Sequence, residues 1–147
     1  MPPTARILGL AGLLPPIACL VAMLAGGEAV WFLALAIAYA YAALILSFLG
    51  GLWWGLAAAQ SDAPHWIYGI AVAPSLVALA SAIPWAFGDE WPGPSLLLLG
   101  IMLLLSLIVD FRLAALGIAP GWWIGLRLPL SLGLGTLTLA CGLLAIL

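Results

Sequence analysis

The chain has 147 residues, 67% of them hydrophobic and 5% charged, with three basic and five acidic side chains and a formal net charge of -2. Soluble domains carry roughly 25% charged residues, so this composition excludes a water-soluble globular protein and points to a polytopic membrane protein of single-domain length. Three arginines and no lysine cannot form a phosphate-tracking surface, which excludes nucleic acid as a partner.

A helix needs about 20 mostly apolar residues to cross a hydrocarbon core of about 30 Å, and five segments meet that length. The first covers residues 7–25, is interrupted by Pro15 and Pro16, and is closed by Gly26, Gly27 and Glu28. Its apolar run is long for a signal peptide and no small-x-small cleavage site lies outside it, so it reads as a retained helix. The second, residues 29–59, exceeds a perpendicular crossing and is expected to tilt or to extend beyond the core. Trp31 sits at its outer end as an aromatic anchor.

After the polar turn Gln60 to His65, the third segment, residues 66–87, carries Pro74 and Pro84. Each proline removes a backbone donor and clashes with the preceding turn, which predicts kinks. A turn at residues 88–94 brings acidic Asp89 and Glu90 and interfacial Trp91. The fourth segment, residues 95–116, is leucine-rich until Asp110 and Arg112, and a turn centred on Gly117 to Pro120 leads to the fifth, residues 122–147. Trp122 and Trp123 are expected to anchor that last segment at the interface, with Arg127 just inside. Short connections make consecutive helices antiparallel neighbours.

Basic residues near span ends stay on the cytoplasmic side. With the N-terminus inside, Arg6, Arg112 and Arg127 all fall on that side, while Glu28, Asp89 and Glu90 fall outside. The expected fold is therefore all-α: an integral membrane bundle of five transmembrane helices, N-terminus cytoplasmic and C-terminus periplasmic.

Small residues four apart let helix backbones approach closely in lipid, where apolar burial gives no advantage. Ala43, Ser47, Gly51, Gly55 and Ala59 make such a stripe on the second segment, with Gly50 beside it. Ser131 with Gly135, and Thr138 with Gly142, offer a partner face on the fifth. Cys19 and Cys141 form no metal or redox motif by spacing and read as packing residues at lipid depth, a disulfide between them remaining the alternative.

Asp110 and Arg127 lie equidistant from the turn between the last two segments, so an antiparallel hairpin sets them at one depth. An unpaired charge inside a span costs several kcal/mol, and pairing is the expected remedy. Two readings follow. The pair, with Arg112 nearby, lines a cytoplasm-facing pocket for an anionic headgroup or polar ligand, or it is a structural salt bridge that fixes register. Trp53 and Trp54 project about 100° apart on a helix, so one of them at most faces a given pocket, and Trp54 is taken as the candidate. His65 stands alone in a turn and reads as a solvated loop residue. No nucleophile elbow, phosphate loop, metal-ligand spacing or cofactor motif occurs within a span.

The stretch Ile45 to Gly55, ILSFLGGLWWG, together with the opening LGLAGLLP from Leu8, Pro74-Ser75, and the run from Asp110 through GIAPGWW to LRLPL at Leu126 to Leu130, resembles the bacterial domain of unknown function 3429 family, whose relatives include mitochondrial transmembrane protein 69. The resemblance covers most of the chain. It implies five spans and a bacterial inner-membrane location, implies no particular reaction, and adds weight to Gly50, Gly51, Trp54, Gly55, Asp110, Arg127 and Pro129. The chain departs from the family pattern at Trp53, where the resemblance implies a basic residue. The expected function is that of a non-enzymatic accessory or scaffold bundle, partnered by the lipid bilayer and by another membrane protein or a second copy. The alternative is a binder or carrier of a lipid-soluble or amphipathic, quinone-like ligand. No cofactor is expected.

Overall fold

The computed structural model describes residues 1–88 and 92–147; the acidic turn assigned to Asp89 and Glu90, and the interfacial role assigned to Trp91, lie outside them. The described residues form helices α1 (Pro3–Ala11), α2 (Leu14–Ala25), α3 (Glu28–Ala58), α4 (Trp66–Ala80), α5 (Ile83–Ala86), α6 (Gly93–Ala115) and α7 (Trp123–Leu144). Taken with their continuations, they make five helices long and apolar enough to cross a membrane: Pro3–Ala25, Glu28–Ala58, Trp66–Ala86, Gly93–Ala115 and Trp123–Leu144. Phe32, Leu44, Phe48, Leu76, Leu79 and Ile108 are all exposed on the outside of the bundle. Water tolerates no such continuous apolar surface, whereas lipid does.

Proline chemistry sets the breaks. Pro15 and Pro16 have no N–H to offer to the carbonyls of Ala11 and Gly12, so the helix divides there into α1 and α2. The Gly12 carbonyl is recovered from outside, since the Tyr41 hydroxyl of α3 donates to it at 2.7 Å. Pro74 lies inside α4, which continues past it; the interruption comes at Ser81 and Ala82, with Pro84 in the first turn of α5. That second break is held by hydroxyls. Ser81 donates to Ala78 O at 2.7 Å, Ser95 donates to Ser81 O at 2.7 Å, and Tyr39 Oη lies 2.9 Å from Ser81 Oγ.

The 31-residue α3 is roughly 46 Å long at 1.5 Å per residue and lies at the centre, packing against α2, α4, α6 and α7. The most extensive pairing is the α6–α7 hairpin. Its turn is fixed by Gly117, whose φ of +70° is a conformation that a side chain would strain. Ile118 N–H donates back to Leu113 O, which closes the end of α6. α1 and α2 run parallel to α7, with Gly9 against Leu126 and Leu13 against Gly133.

The small-residue face of α3 is rotated from the one expected. Within the chain Gly50 is the contact glycine: it is buried, and a Cβ there would collide with the Ala71 carbonyl of α4. Gly51 and Gly55 are exposed with nothing within 4 Å of a Cβ position, because the buried stripe of α3 follows Leu46, Leu49, Gly50, Trp53 and Ala57. Ser47 reaches α4 through Ser75, with the two hydroxyl oxygens 2.8 Å apart. Gly135 is buried, but against Leu104 and the Gly100 carbonyl of α6, and Gly142 against Leu96 and Leu97. The small residues of α7 thus serve the α6–α7 crossing and not α3, since antiparallel neighbours joined by a tight turn pack first on each other. Both cysteines are buried free thiols.

Overpacking costs about 1–3 kcal/mol and more where backbone must move. Gly50→Leu is therefore expected to lower the unfolding midpoint of the purified chain in detergent, while Gly51→Leu leaves it within error. Equal midpoints for the two variants would contradict the assigned α3 face.

Candidate functional site

The α6–α7 hairpin brings Asp110 and Arg127 together near the turn, and the cluster around them is the most polar place in the interior. Asp110 is fully buried and Arg127 is 4% exposed. Arg127 Nε donates to Asp110 Oδ2 at 2.8 Å. The other carboxylate oxygen, Oδ1, accepts from two indoles, Trp53 Nε1 of α3 and Trp123 Nε1 of α7, each at 3.0 Å. Indole and guanidinium N–H groups only donate, so three donors converge on one carboxylate and tie α3, α6 and α7 at a single point.

One turn deeper the guanidinium meets two hydroxyls. Arg127 Nη2 donates to Ser131 Oγ at 2.9 Å and to Ser106 Oγ at 3.3 Å. Ser106 in turn donates to Leu103 O at 2.6 Å, which leaves Ser131 as the donor in the 3.4 Å contact between the two serines. Each hydroxyl then gives one proton and accepts from the guanidinium. Ser106 precedes Asp110 by one turn and Ser131 follows Arg127 by one turn, so both pairs are centred between Ile118 and Ala119. Pro129 lies in the same stretch of α7 and removes the N–H that would pair with Gly125 O.

Two apolar crevices reach this cluster from different sides. One, about 240 Å³, lies between α3, α4 and α6 and is lined by Leu46, Trp53, Pro74, Met102, Leu105 and Ser106 among others. The second, about 290 Å³, lies between α1, α3 and α7, and Leu8, Gly12, Tyr41, Phe48, Trp123 and Arg127 contribute to its wall. Trp53 and Ser106 belong to the cluster and to the first crevice. Trp123 and Arg127 belong to the cluster and to the second.

Of the ligand candidates read from the sequence, Asp110 and Arg127 meet, whereas Arg112 and Trp54 do not join them. Arg112 follows Asp110 by two residues, roughly 200° around the helix, and is exposed in the last turn of α6. Trp54 is 48% exposed and stacks edge-on against Tyr68, ring centroids 5.0 Å apart. Of the adjacent pair Trp53 and Trp54, it is Trp53 that enters the site, because the buried stripe of α3 passes through residue 53. Trp123 likewise turns inward to Asp110 and is not the interfacial anchor expected for it; Trp122 remains half-buried beside it. Trp53, Trp123, Ser106 and Ser131 were not among the sequence candidates for the site. The heptad-like run of bulky residues ending at Trp53 carries the signal for one, and symmetry about the turn carries it for the two serines.

A family model described as Protein of unknown function (DUF3429) matches residues 1–144, and the chain belongs to that family. Comparison with curated proteins and with solved structures gives no match.

Removing one partner of a buried ion pair costs about 3–5 kcal/mol, so Asp110→Ala and Arg127→Ala should each lower stability sharply in denaturant titrations. The charge swap Asp110→Arg with Arg127→Asp should fail to restore it, although the opposite charges remain, because Trp53 and Trp123 would then aim two donors at a cation. Trp53→Phe should lose about 1–3 kcal/mol by leaving part of the carboxylate unpaired, against no measurable loss for Trp54→Phe. A stable charge-swapped protein would show that the indoles do not define the carboxylate site.

Proposed function

We propose that this is a non-enzymatic, multi-pass protein of the bacterial inner membrane, N-terminus cytoplasmic and C-terminus periplasmic, that holds a lipid-soluble or amphipathic ligand in the cytoplasmic half of its helix bundle. The observation that carries this reading is the convergence of two apolar crevices on one buried polar cluster. Sites for small molecules combine apolar walls with a few placed polar groups, and ionisable residues within spans commonly mark them. Binding is favoured over catalysis because the Asp110 oxygens are already occupied by three donors. Orientation rests on Arg6, Arg112 and Arg127, which fall at the same end of the antiparallel bundle.

A second reading, as an accessory or scaffold subunit bound to another membrane protein or to a second copy, draws on Gly51 and Gly55. Their α3 face is exposed and leaves room for a close backbone approach.

Extraction in a mild detergent followed by mass spectrometry of the retained lipids, cofactors and proteins separates the two. The ligand reading expects one reproducible small molecule, retained by Gly51→Leu and lost from Arg127→Lys. A stoichiometric protein partner with no retained small molecule, released by Gly51→Leu, would replace it with the scaffold reading. For orientation, a reporter active only in the cytoplasm should be silent when fused after Leu147.

A further inference from the structure

Among the described residues, Arg127 is the cluster member with a hydrogen-bond donor left unused. A guanidinium carries five N–H donors. Nε serves Asp110, and the two N–H groups of Nη2 serve Ser106 and Ser131. Nη1 has no hydrogen-bond partner among the described residues, in a side chain that is 5% exposed. A buried donor left unmade costs the full desolvation of that group, and Arg127 forms part of the wall of the crevice between α1, α3 and α7.

We propose that this crevice seats an acyl ester of a membrane glycerolipid, with the ester carbonyl accepting from Arg127 Nη1 and the acyl chain lying along the apolar wall. The proposal rests on the ligand-binding reading above and names its occupant. Three observations select it. The first is charge: Asp110 already neutralises Arg127 at 2.8 Å, so an anionic headgroup would leave a net negative charge in low dielectric, whereas a neutral carbonyl supplies an acceptor and adds none.

The second is depth. Arg127 follows Trp123, at the start of α7, by four residues, roughly 6 Å along the axis. α7 is roughly 33 Å long, close to the thickness of the hydrocarbon core. Arg127 therefore lies near the edge of that core, where ester linkages lie. The third is access. Leu8 and Phe48, on the crevice wall, are 69% and 60% exposed, and no residue of α1 is buried, so the crevice opens sideways toward lipid. Its other walls, Ile45, Leu49, Leu130 and Leu134 among them, are apolar and suit a hydrocarbon chain.

The test compares lipids that differ only in the carbonyl. The purified full-length protein is exchanged in detergent against equimolar diacyl and dialkyl phosphatidylethanolamine of matched chains, and retained lipid is read by native mass spectrometry. The diacyl form should be enriched about tenfold, the ratio expected for one hydrogen bond from a charged donor. Leu8→Trp, at the exposed rim, should bring that ratio to about one without altering the fold. On the wild-type protein, the carbonyl stretch of a ¹³C-labelled bound ester should move to lower frequency than in bulk lipid. Equal retention of the two lipids with an unshifted carbonyl would overturn the ester contact and leave the ligand-binding reading standing. Retention of no lipid by the folded protein, with no other small molecule displacing any, would overturn both. Preferential retention of an anionic dialkyl lipid would overturn the neutral-acceptor argument, and displacement of both lipids by a short-chain quinone would overturn the glycerolipid assignment.

Discussion

A carboxylate and a guanidinium that have both lost water must find partners for their strong acceptors and donors within the protein, because the desolvation cost of each ion is several kcal/mol. Among the described residues, Asp110 meets that constraint at both oxygens, and Arg127 meets it at Nε and Nη2 but not at Nη1, by recruiting three helices. The carboxylate takes one donor from its ion-pair partner and two from indoles on different helices, and the guanidinium reaches back to two serines a turn away. Sliding α7 against α6, or rotating α3, would strand a buried donor or acceptor. Apolar contacts between leucines are nearly indifferent to such shifts, particularly in lipid, so the polar cluster is what selects one register from many.

The remaining packing is arranged to let that cluster form. Gly117 reverses the chain tightly enough for residues equidistant from the turn to meet. Gly100, Gly135 and Gly142 remove bulk along the α6–α7 crossing. Gly50 lets α3 lie against the carbonyl of Ala71, which fixes the rotation of α3 and so aims Trp53, one turn further on, toward Asp110. The proline breaks at the start of the chain and near Ser81 leave open carbonyls or bends that Tyr41, Tyr39, Ser81 and Ser95 satisfy. The interior is therefore a set of apolar helices pinned by few polar contacts, and the crevices beside the main pin are where another molecule fits.

Five apolar segments and the meeting of Asp110 with Arg127 were legible in the sequence for simple reasons: hydropathy reports span length directly, and a short antiparallel turn imposes mirror symmetry on depth. What was not legible was rotation about each helix axis. Almost every face of α3 is apolar, so composition gives no preferred inward side, and the glycine stripe through Gly51 and Gly55 competes with the bulky stripe through Leu46, Leu49 and Trp53. Choosing the first puts Trp54 in the site; the structure follows the second. Trp122 and Trp123 pose the same difficulty, since an indole near a span end suits the interface and a buried carboxylate equally well, and only the position of Asp110 decides. Ser106 and Ser131 were within reach of the symmetry argument, which places them one turn deeper on the same two helices.

The central claim is that two indoles on separate helices share the Asp110 carboxylate. The most direct measurement is the exchange rate and chemical shift of the tryptophan indole N–H groups by NMR in micelles or nanodiscs, assigned through single Trp→Phe variants. The Trp53 and Trp123 protons should resonate downfield, exchange with water far more slowly than that of Trp54, and shift together on Asp110→Asn. Indole protons of Trp53 and Trp123 that exchange as fast as that of Trp54, or that ignore the Asp110 substitution, would contradict the account.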